Sequence, residues 1–327
     1  MDSPKMVIVI GTSAGGLTAL QTITSSLSRD LPAAICIVQH VGQHRNYLPT
    51  LLSKSAVLPV RQAIDGERLL AGHIYVAPPD RHMLVSPGHL HLTRGPKENF
   101  ARPAIDPLFR SAAEAYGDRV VGVILTGNLN DGTAGLYEVK RRGGVAVAQD
   151  PFEAENQGMP VSAIRHVAID HVLPVRAMPA LFDQLASISA RAALSDAGAG
   201  ENASMPTELP RERPVTLTCP ECGGAMRRRE VGTLLTFSCH IGHVLTADTM
   251  VAGQFLELDR ALEMAFRRMN ERGELCRQMA ERARANGDEQ VAGMWDAAQR
   301  QTHERTELIE QLLTESWQLP ELDEAAD

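Results

Sequence analysis

The chain has 327 residues, a net charge of −8 and an ordinary globular balance of 44% hydrophobic to 22% charged residues, enough for a large buried core and a smaller appendage. That acidic balance argues against a general nucleic-acid binder, and the run Arg227-Arg228-Arg229 reads as a solvated face. No apolar stretch approaches the roughly 20 residues of a membrane span, and the short apolar N-terminus reads as a strand rather than a signal peptide, so a cytoplasmic protein without membrane insertion is expected.

Short apolar runs alternate with amphipathic stretches over residues 1–187, the pattern of a doubly wound α/β domain with a mostly parallel sheet. Strands are expected at 6–10, 33–38, 120–125 and 144–148, and helices at 17–27, 48–54, 105–116 and 132–142. Three β-like runs between 73 and 93, broken by Pro78-Pro79 and Pro87-Gly88, suggest a hairpin at one sheet edge. Residues 188–214, rich in Ala, Ser, Gly and Pro, read as a linker. A compact cysteine-bearing segment is expected at 215–245, then a helical hairpin over 246–318 that turns near Asn286-Gly287. Its apolar stripe, from Leu256 and Met264 through Leu275 to Met294 and Leu312, predicts a helix–helix core, within the hairpin or across a homodimer.

Three segments of the α/β domain carry chemistry. Gly11-Thr12-Ser13-Ala14-Gly15 sits where a strand gives way to a helix, the setting of a nucleophile elbow; glycines permit the sharp turn, and the following backbone N–H groups favour an anion. A phosphate-binding loop fits less well, since neither G-x-G-x-x-G nor the P-loop pattern is present. His40 falls two residues past the second expected strand, one strand spacing of about 5 Å from Ser13; a plain loop histidine is the alternative, and His44 competes for the role. Asp131 lies in a glycine-bracketed loop between a strand and a helix, where it could equally be a helix cap. Ser, His and Asp at three strand ends nevertheless make the ingredients of a hydrolytic triad, at the sheet edge where α/β sites lie.

With these residues in view, the sequence resembles the catalytic domain of the protein-glutamate methylesterases, the chemotaxis receptor methylesterase family, over about residues 5–187. The resemblance rests on G-T-S-A-G-G (11–16), Q-H (39–40), Y-V-A-P-P-D-R-H-M (75–83), R-P-A-I-D-P-L-F (102–109), L-T-G-N-L-N-D-G-T-A-G (125–135) and Q-G-M-P (157–160). It implies Ser13 as nucleophile, His40 as general base, Asp131 as orienting carboxylate, and oxyanion donors in the backbone N–H groups of Ala14 and Asn128. The implied reaction is hydrolysis of glutamyl γ-methyl esters on methyl-accepting chemoreceptors, with release of methanol; some members also deamidate receptor glutamines. No cofactor is implied for catalysis. Two local departures stand out: Ala14 replaces the family's usual hydroxyl residue after the serine, and Asn128 and Leu129 interrupt its usual G-M-G. The family's usual N-terminal receiver domain is expected to be absent, with a C-terminal module present instead. Hydrolysis of another protein or small ester, or a non-catalytic adaptor role, are the alternatives.

That module has its own signal. Cys219-x-x-Cys222, sixteen residues, then Cys239-x-x-x-His243 is zinc-ribbon spacing, two knuckles that close a tetrahedron. Structural zinc is expected, with His240 as an alternative fourth ligand. The isolated α/β domain is expected to be active, and the ribbon and helices to serve as a docking module rather than a lid.

Overall fold

The computed structural model describes residues 4–40, 46–195 and 213–315. Met1–Thr249 make one compact unit and Met250–Asp327 another.

In chain order the first unit begins with β1 (Met6–Thr12), α1 (Gly16–Ser25), β2 (Ala33–Gln39), α2 (Leu48–Leu52), β3 (Val60–Gln62) and β4 (Ile74–Val76). It continues with β5 (His82–Ser86), β6 (His89–Thr93), α3 (Ile105–Tyr116), β7 (Val120–Ile124), α4 (Thr133–Arg141), β8 (Val145–Gln149), α5 (Gly158–His166), β9 (His171–Leu173) and α6 (Met178–Ser195). Seven of the strands form one sheet in the order β3-β4-β2-β1-β7-β8-β9, every pairing parallel. A parallel sheet must be covered on both faces, and alternation along β1 shows how. Val7 and Val9 face α3, α4 and α5 through Phe109, Leu136 and Met159, while Ile8 and Ile10 face α1, α2 and α6 through Leu20, Leu52 and Phe182. Phe109 and Phe182 are fully buried, each contributing about 1.5–3 kcal/mol. The strand order reverses at β1, whose neighbours are β2 and β7, so the carboxyl ends of these three strands flank the switch-point crevice.

The expected edge hairpin is corrected. The first β-like run enters the sheet as β4, buried between β3 and β2, because it is apolar throughout and the two prolines after it end the strand. Only β5 and β6 pair as a hairpin, in a sheet of their own, fastened to α3 by the Val85 N–H donating to Ser111 Oγ at 3.0 Å. The true edges, β3 and β9, are three-residue strands. Helix α6 also runs to Ser195, so helix replaces the start of the expected linker; residues 196–212 lie outside the described residues.

The same unit contains the cysteine-bearing segment, an antiparallel sheet of β10 (Arg213–Thr218), β11 (Ala225–Val231), β12 (Leu234–Cys239) and β13 (Val244–Thr246). Gly232 and Gly242, with φ of 60° and 99°, take the left-handed turns that join its last three strands. Rather than standing apart behind a linker, this ribbon packs on the α/β domain: Lys97 Nζ donates to Glu221 at 2.9 Å, and the Asn99 N–H to Val244 O at 2.8 Å.

The second unit is built from α7 (Ala247–Ala285), whose first turn belongs to the first unit, and α8 (Glu289–Thr314). Asp288 caps α8 by accepting from the Val291 N–H at 3.1 Å. The expected apolar stripe supplies only part of this hairpin's core: Leu262, Met269, Met279 and Trp295 are half-buried. Cys276, Ala280, Ala283, Ala292, Thr302 and Thr306 are buried, while Leu256, Met264, Leu275, Met294, Leu308 and Leu312 are exposed.

Candidate active site

Ser13 follows the last residue of β1, in a turn closed by the Gly16 N–H donating to Ser13 O at 3.1 Å. Gly15 takes a φ of 77°, and a Cβ there would fall 2.8 Å from Glu155 Cβ, so only glycine fits. The turn is tied to the neighbouring strand end, since the Ser13 N–H and the Thr12 hydroxyl both donate to Thr126 O, at 3.0 and 2.9 Å. Thr126 is fixed in turn by Gln149, whose side-chain oxygen accepts from the Thr126 N–H at 2.8 Å.

His40 follows β2 directly and donates its backbone N–H to Thr12 O at 3.1 Å, continuing the parallel ladder one step and bringing the imidazole beside Ser13. Nδ1 lies 3.2 Å from Ser13 Oγ, and Nε2 lies 2.7 Å from Asp131 Oδ2. The three expected residues therefore form one hydrogen-bonded chain. His44, the competing candidate, lies outside the described residues.

Asp131 is buried in the loop between β7 and α4, and it caps a helix other than its own. Gly132, at φ 91°, occupies the N-cap of α4. The Asp131 carboxylate instead sits at the start of α3, where Oδ2 accepts from the Ile105 N–H at 2.7 Å and Oδ1 lies 3.4 Å from the Asp106 N–H. Oδ1 also accepts from the Gly132 N–H at 3.0 Å and from Asn99 Nδ2 at 3.0 Å. Burial pushes this carboxyl up, but the hydrogen bond and charge of His40 and the donors Ile105 and Asn99 outweigh it, holding the group below its ordinary range. An ionised Asp131 fixes the proton of His40 on Nε2, so Nδ1 is left as the acceptor facing the Ser13 hydroxyl.

Asp106 lies one turn away and behaves oppositely. Burial, with the charge of Asp131 next, drives its carboxyl well above the usual value, against the pull of Arg110. Its oxygens accept from the Gly135 N–H at 2.6 Å and from Asn99 Nδ2 at 3.1 Å. Asn99 thus spans both carboxyl groups. Sequence reasoning found Ile105, Asp106 and Asn130 only as parts of motifs, and it missed Asn99 altogether, since a lone asparagine in a loop carries no spacing signal.

Around Ser13 the backbone is bare. A Cβ at Gly127 would fall 2.8 Å from Ser13 Cβ and 2.1 Å from Met159 Sδ, so this loop passes against the serine with no room for a side chain. Among the described residues, the N–H groups of Ala14 and Asn128 have no protein acceptor. Leu129 takes a φ of 59°, a left-handed turn uncommon for leucine directly after these groups.

In the ribbon, Cys219, Cys222, Cys239 and His243 bring their ligand atoms within 4.8 Å of one another. Sγ of Cys222 and Cys239 are 3.7 Å apart, and His243 Nδ1 lies 3.6 Å from Sγ of both Cys219 and Cys239. A tetrahedral zinc ion, with bonds of about 2.3 Å to sulfur and about 2.0–2.1 Å to nitrogen, needs edges of roughly 3.8 and 3.5 Å. These spacings fit that ion, and the histidine that lies within the set is His243.

A model of the CheB methylesterase family matches residues 8–182. A putative protein-glutamate methylesterase/protein-glutamine glutaminase of Leptospira interrogans is 41% identical over 180 residues, 54% of this chain and 93% of that protein. A protein-glutamate methylesterase/protein-glutamine glutaminase of Anaeromyxobacter dehalogenans is 39% identical over 180 residues, and the match covers 53% of its length. The crystal structure of the Thermotoga maritima CheB methylesterase catalytic domain superposes with a TM-score of 0.53 at 35% identity, covering 57% of this chain and 100% of that one. Ser13, His40 and Asp131 lie inside the matched region, and the ribbon lies outside it.

Proposed function

The chain belongs to the CheB methylesterase family, and from that premise we propose that it is a serine hydrolase cleaving glutamyl γ-methyl esters on methyl-accepting chemoreceptors or similar signalling proteins. The hydrogen-bonded chain from Ser13 through His40 to Asp131 is the observation that carries the reading. His40 Nδ1 takes the Ser13 proton as Oγ attacks the γ-carbonyl. The tetrahedral oxyanion is held by the unpartnered N–H groups of Ala14 and Asn128, donors set before charge develops. As the intermediate collapses, the proton on Nδ1 passes to the leaving oxygen and methanol departs. A water then gives its proton to Nδ1, attacks the acyl-enzyme, and frees the glutamate and Ser13. Asp131 keeps the working tautomer and stabilises the imidazolium between steps. The same cycle on a glutamine side chain releases ammonia, which makes deamidation a second reaction of one site.

The zinc-shaped cluster supports a structural ion at Cys219, Cys222, Cys239 and His243. Four protein ligands leave no open position, so zinc would cross-link the ribbon and take no part in the chemistry. The exposed Leu256, Met264, Leu275 and Leu308 support pairing of two chains through the helical unit. Three of the five cysteines belong to the zinc-shaped cluster and the other two, Cys36 and Cys276, are buried, a usage that fits a reducing, cytoplasmic setting.

The test is methanol release from a methylated receptor fragment, with Ser13→Ala as control. Release that Ser13→Ala abolishes supports the proposal. Turnover of small esters alone points to another substrate, and no turnover of either leaves the adaptor.

A further inference from the structure

The ribbon meets the α/β domain at the two residues that frame the catalytic carboxylate. Asn99, on the loop before α3, points its amide nitrogen at Asp131 Oδ1 and Asp106 Oδ2, at 3.0 and 3.1 Å. Two of its other polar groups are held by β13: Asn99 Oδ1 accepts from the Thr246 N–H at 3.1 Å, and the Asn99 N–H donates to Val244 O at 2.8 Å. Asn130, immediately before Asp131, is gripped by the same segment. Its side-chain oxygen accepts from the hydroxyls of Thr246 at 2.5 Å and Thr249 at 3.2 Å, and its amide nitrogen donates to Asp248 at 2.7 Å. Asn130, Thr246 and Thr249 are all at most 1% exposed, so water does not substitute for these contacts.

The backbone adds an independent reason. Asn99 and Phe100 both take left-handed conformations, with φ of 50° and 62°. Non-glycine residues hold such conformations only where their surroundings over-determine them. For Asn99 the surroundings include the ribbon strand, which pins its main chain and its side chain together. Without that strand the loop is free to relax and to swing the amide away from Asp131.

We propose that the ribbon is a positioning element of the active site: β13, through Thr246, sets Asn99 and Asn130, and these set the carboxylate that orients His40. The proposal rests on the hydrolase reading of Ser13, His40 and Asp131. It makes Asn99, Asn130 and Thr246 positioning residues, because none of them touches the reacting atoms. His243 stands three residues before Thr246, so whatever orders the cysteine knuckles also orders this strand. Where a module that merely docked would leave turnover alone, this one governs it.

The experiment uses the full chain and a small glutamyl methyl ester, reading kcat and KM separately, with near-ultraviolet circular dichroism to confirm folding. Asn99→Ala removes a donor to a charged carboxylate, and its kcat should fall on the order of tenfold to a hundredfold with KM held within about twofold. Thr246→Val, which leaves the buried Asn130 oxygen short of its nearest donor, should lower kcat by about tenfold, and Thr246→Ser should restore it. Thr233→Val is the control, since the Thr233 hydroxyl fastens the ribbon to His166 at 2.9 Å, on the far end of α5 from the triad. It should leave kcat unchanged. If Thr233→Val falls as far as Thr246→Val, or if Asn99→Ala and Thr246→Val keep wild-type kcat while Ser13→Ala is inactive, the positioning role is overturned. Should Ser13→Ala itself keep its turnover, the reading of the site fails and the inference with it.

Discussion

His40 meets Asp131 through Nε2, at 2.7 Å, and turns Nδ1 toward Ser13. The order of the nitrogens follows from where the backbone delivers each partner. His40 is tied by its own N–H to the strand that carries Ser13, so the ring atom nearer the main chain faces the serine. The far nitrogen reaches across to the carboxylate anchored at the start of α3.

This order predicts the effect of Asp131→Asn. An amide can present its N–H to Nε2, which moves the ring proton to Nδ1 and removes the acceptor for the Ser13 hydroxyl. The expected loss in kcat is on the order of 10³–10⁴, with the fold retained. Steady-state hydrolysis of a glutamyl methyl ester checks it. A loss below tenfold would mean that Asp131 does not set the tautomer.

Asp106 and Asp131 titrate in opposite directions. Folded Asp106 keeps its proton well above the ordinary carboxylate range, so above about pH 4 the folded state binds a proton that the unfolded chain has released, and stability falls as pH rises. Asp131 is lowered, so its contribution is complete above about pH 4 and is lost as pH falls through the lowered value. Asp106→Asn removes the first effect alone. Its unfolding free energy relative to wild type should climb between pH 5 and pH 7 by up to about 1.4 kcal/mol per unit. Urea unfolding at the two pH values measures it, and a flat or falling difference refutes the raised carboxyl.

Metal analysis should find about one zinc per chain, and none in Cys222→Ser, because that variant opens a knuckle whose Sγ lies 3.7 Å from that of Cys239. The main sheet should survive the loss, since its core is complete without the ribbon. Catalysis should weaken nonetheless, through β13 and Asn99. Metal-free protein with full activity would separate the knuckles from the site.

Much of this was legible in the sequence, and for a physical reason. Buried parallel strands are apolar throughout, so β1, β2, β7 and β8 announce themselves, and strand ends place Ser13, His40 and Asp131 on one edge. The knuckle spacing likewise pointed to Cys219, Cys222, Cys239 and His243, whose side chains lie together in the ribbon. The edge strands β3 and β9 were illegible because three partly exposed residues carry no period. The ribbon's seat on the α/β domain was hidden for a different reason. It depends on Asn99 and Asn130 meeting Thr246, more than 110 residues away, and single polar residues leave no pattern at that range. The hairpin stripe was legible as an apolar face, but periodicity does not report what covers it, and the structure half-buries Met269 and Trp295 while exposing Leu256 and Met294.

The account's central claim is that Ser13 carries the acyl group, and the most direct measurement is where that group lands. Enzyme mixed rapidly with a slowly turned-over glutamyl ester, quenched in acid, digested with trypsin and weighed should carry one acyl adduct, on the peptide spanning residues 6–29. The adduct should vanish in Ser13→Ala together with methanol release. An adduct on any other residue, or wild-type methanol release from Ser13→Ala, would contradict the account.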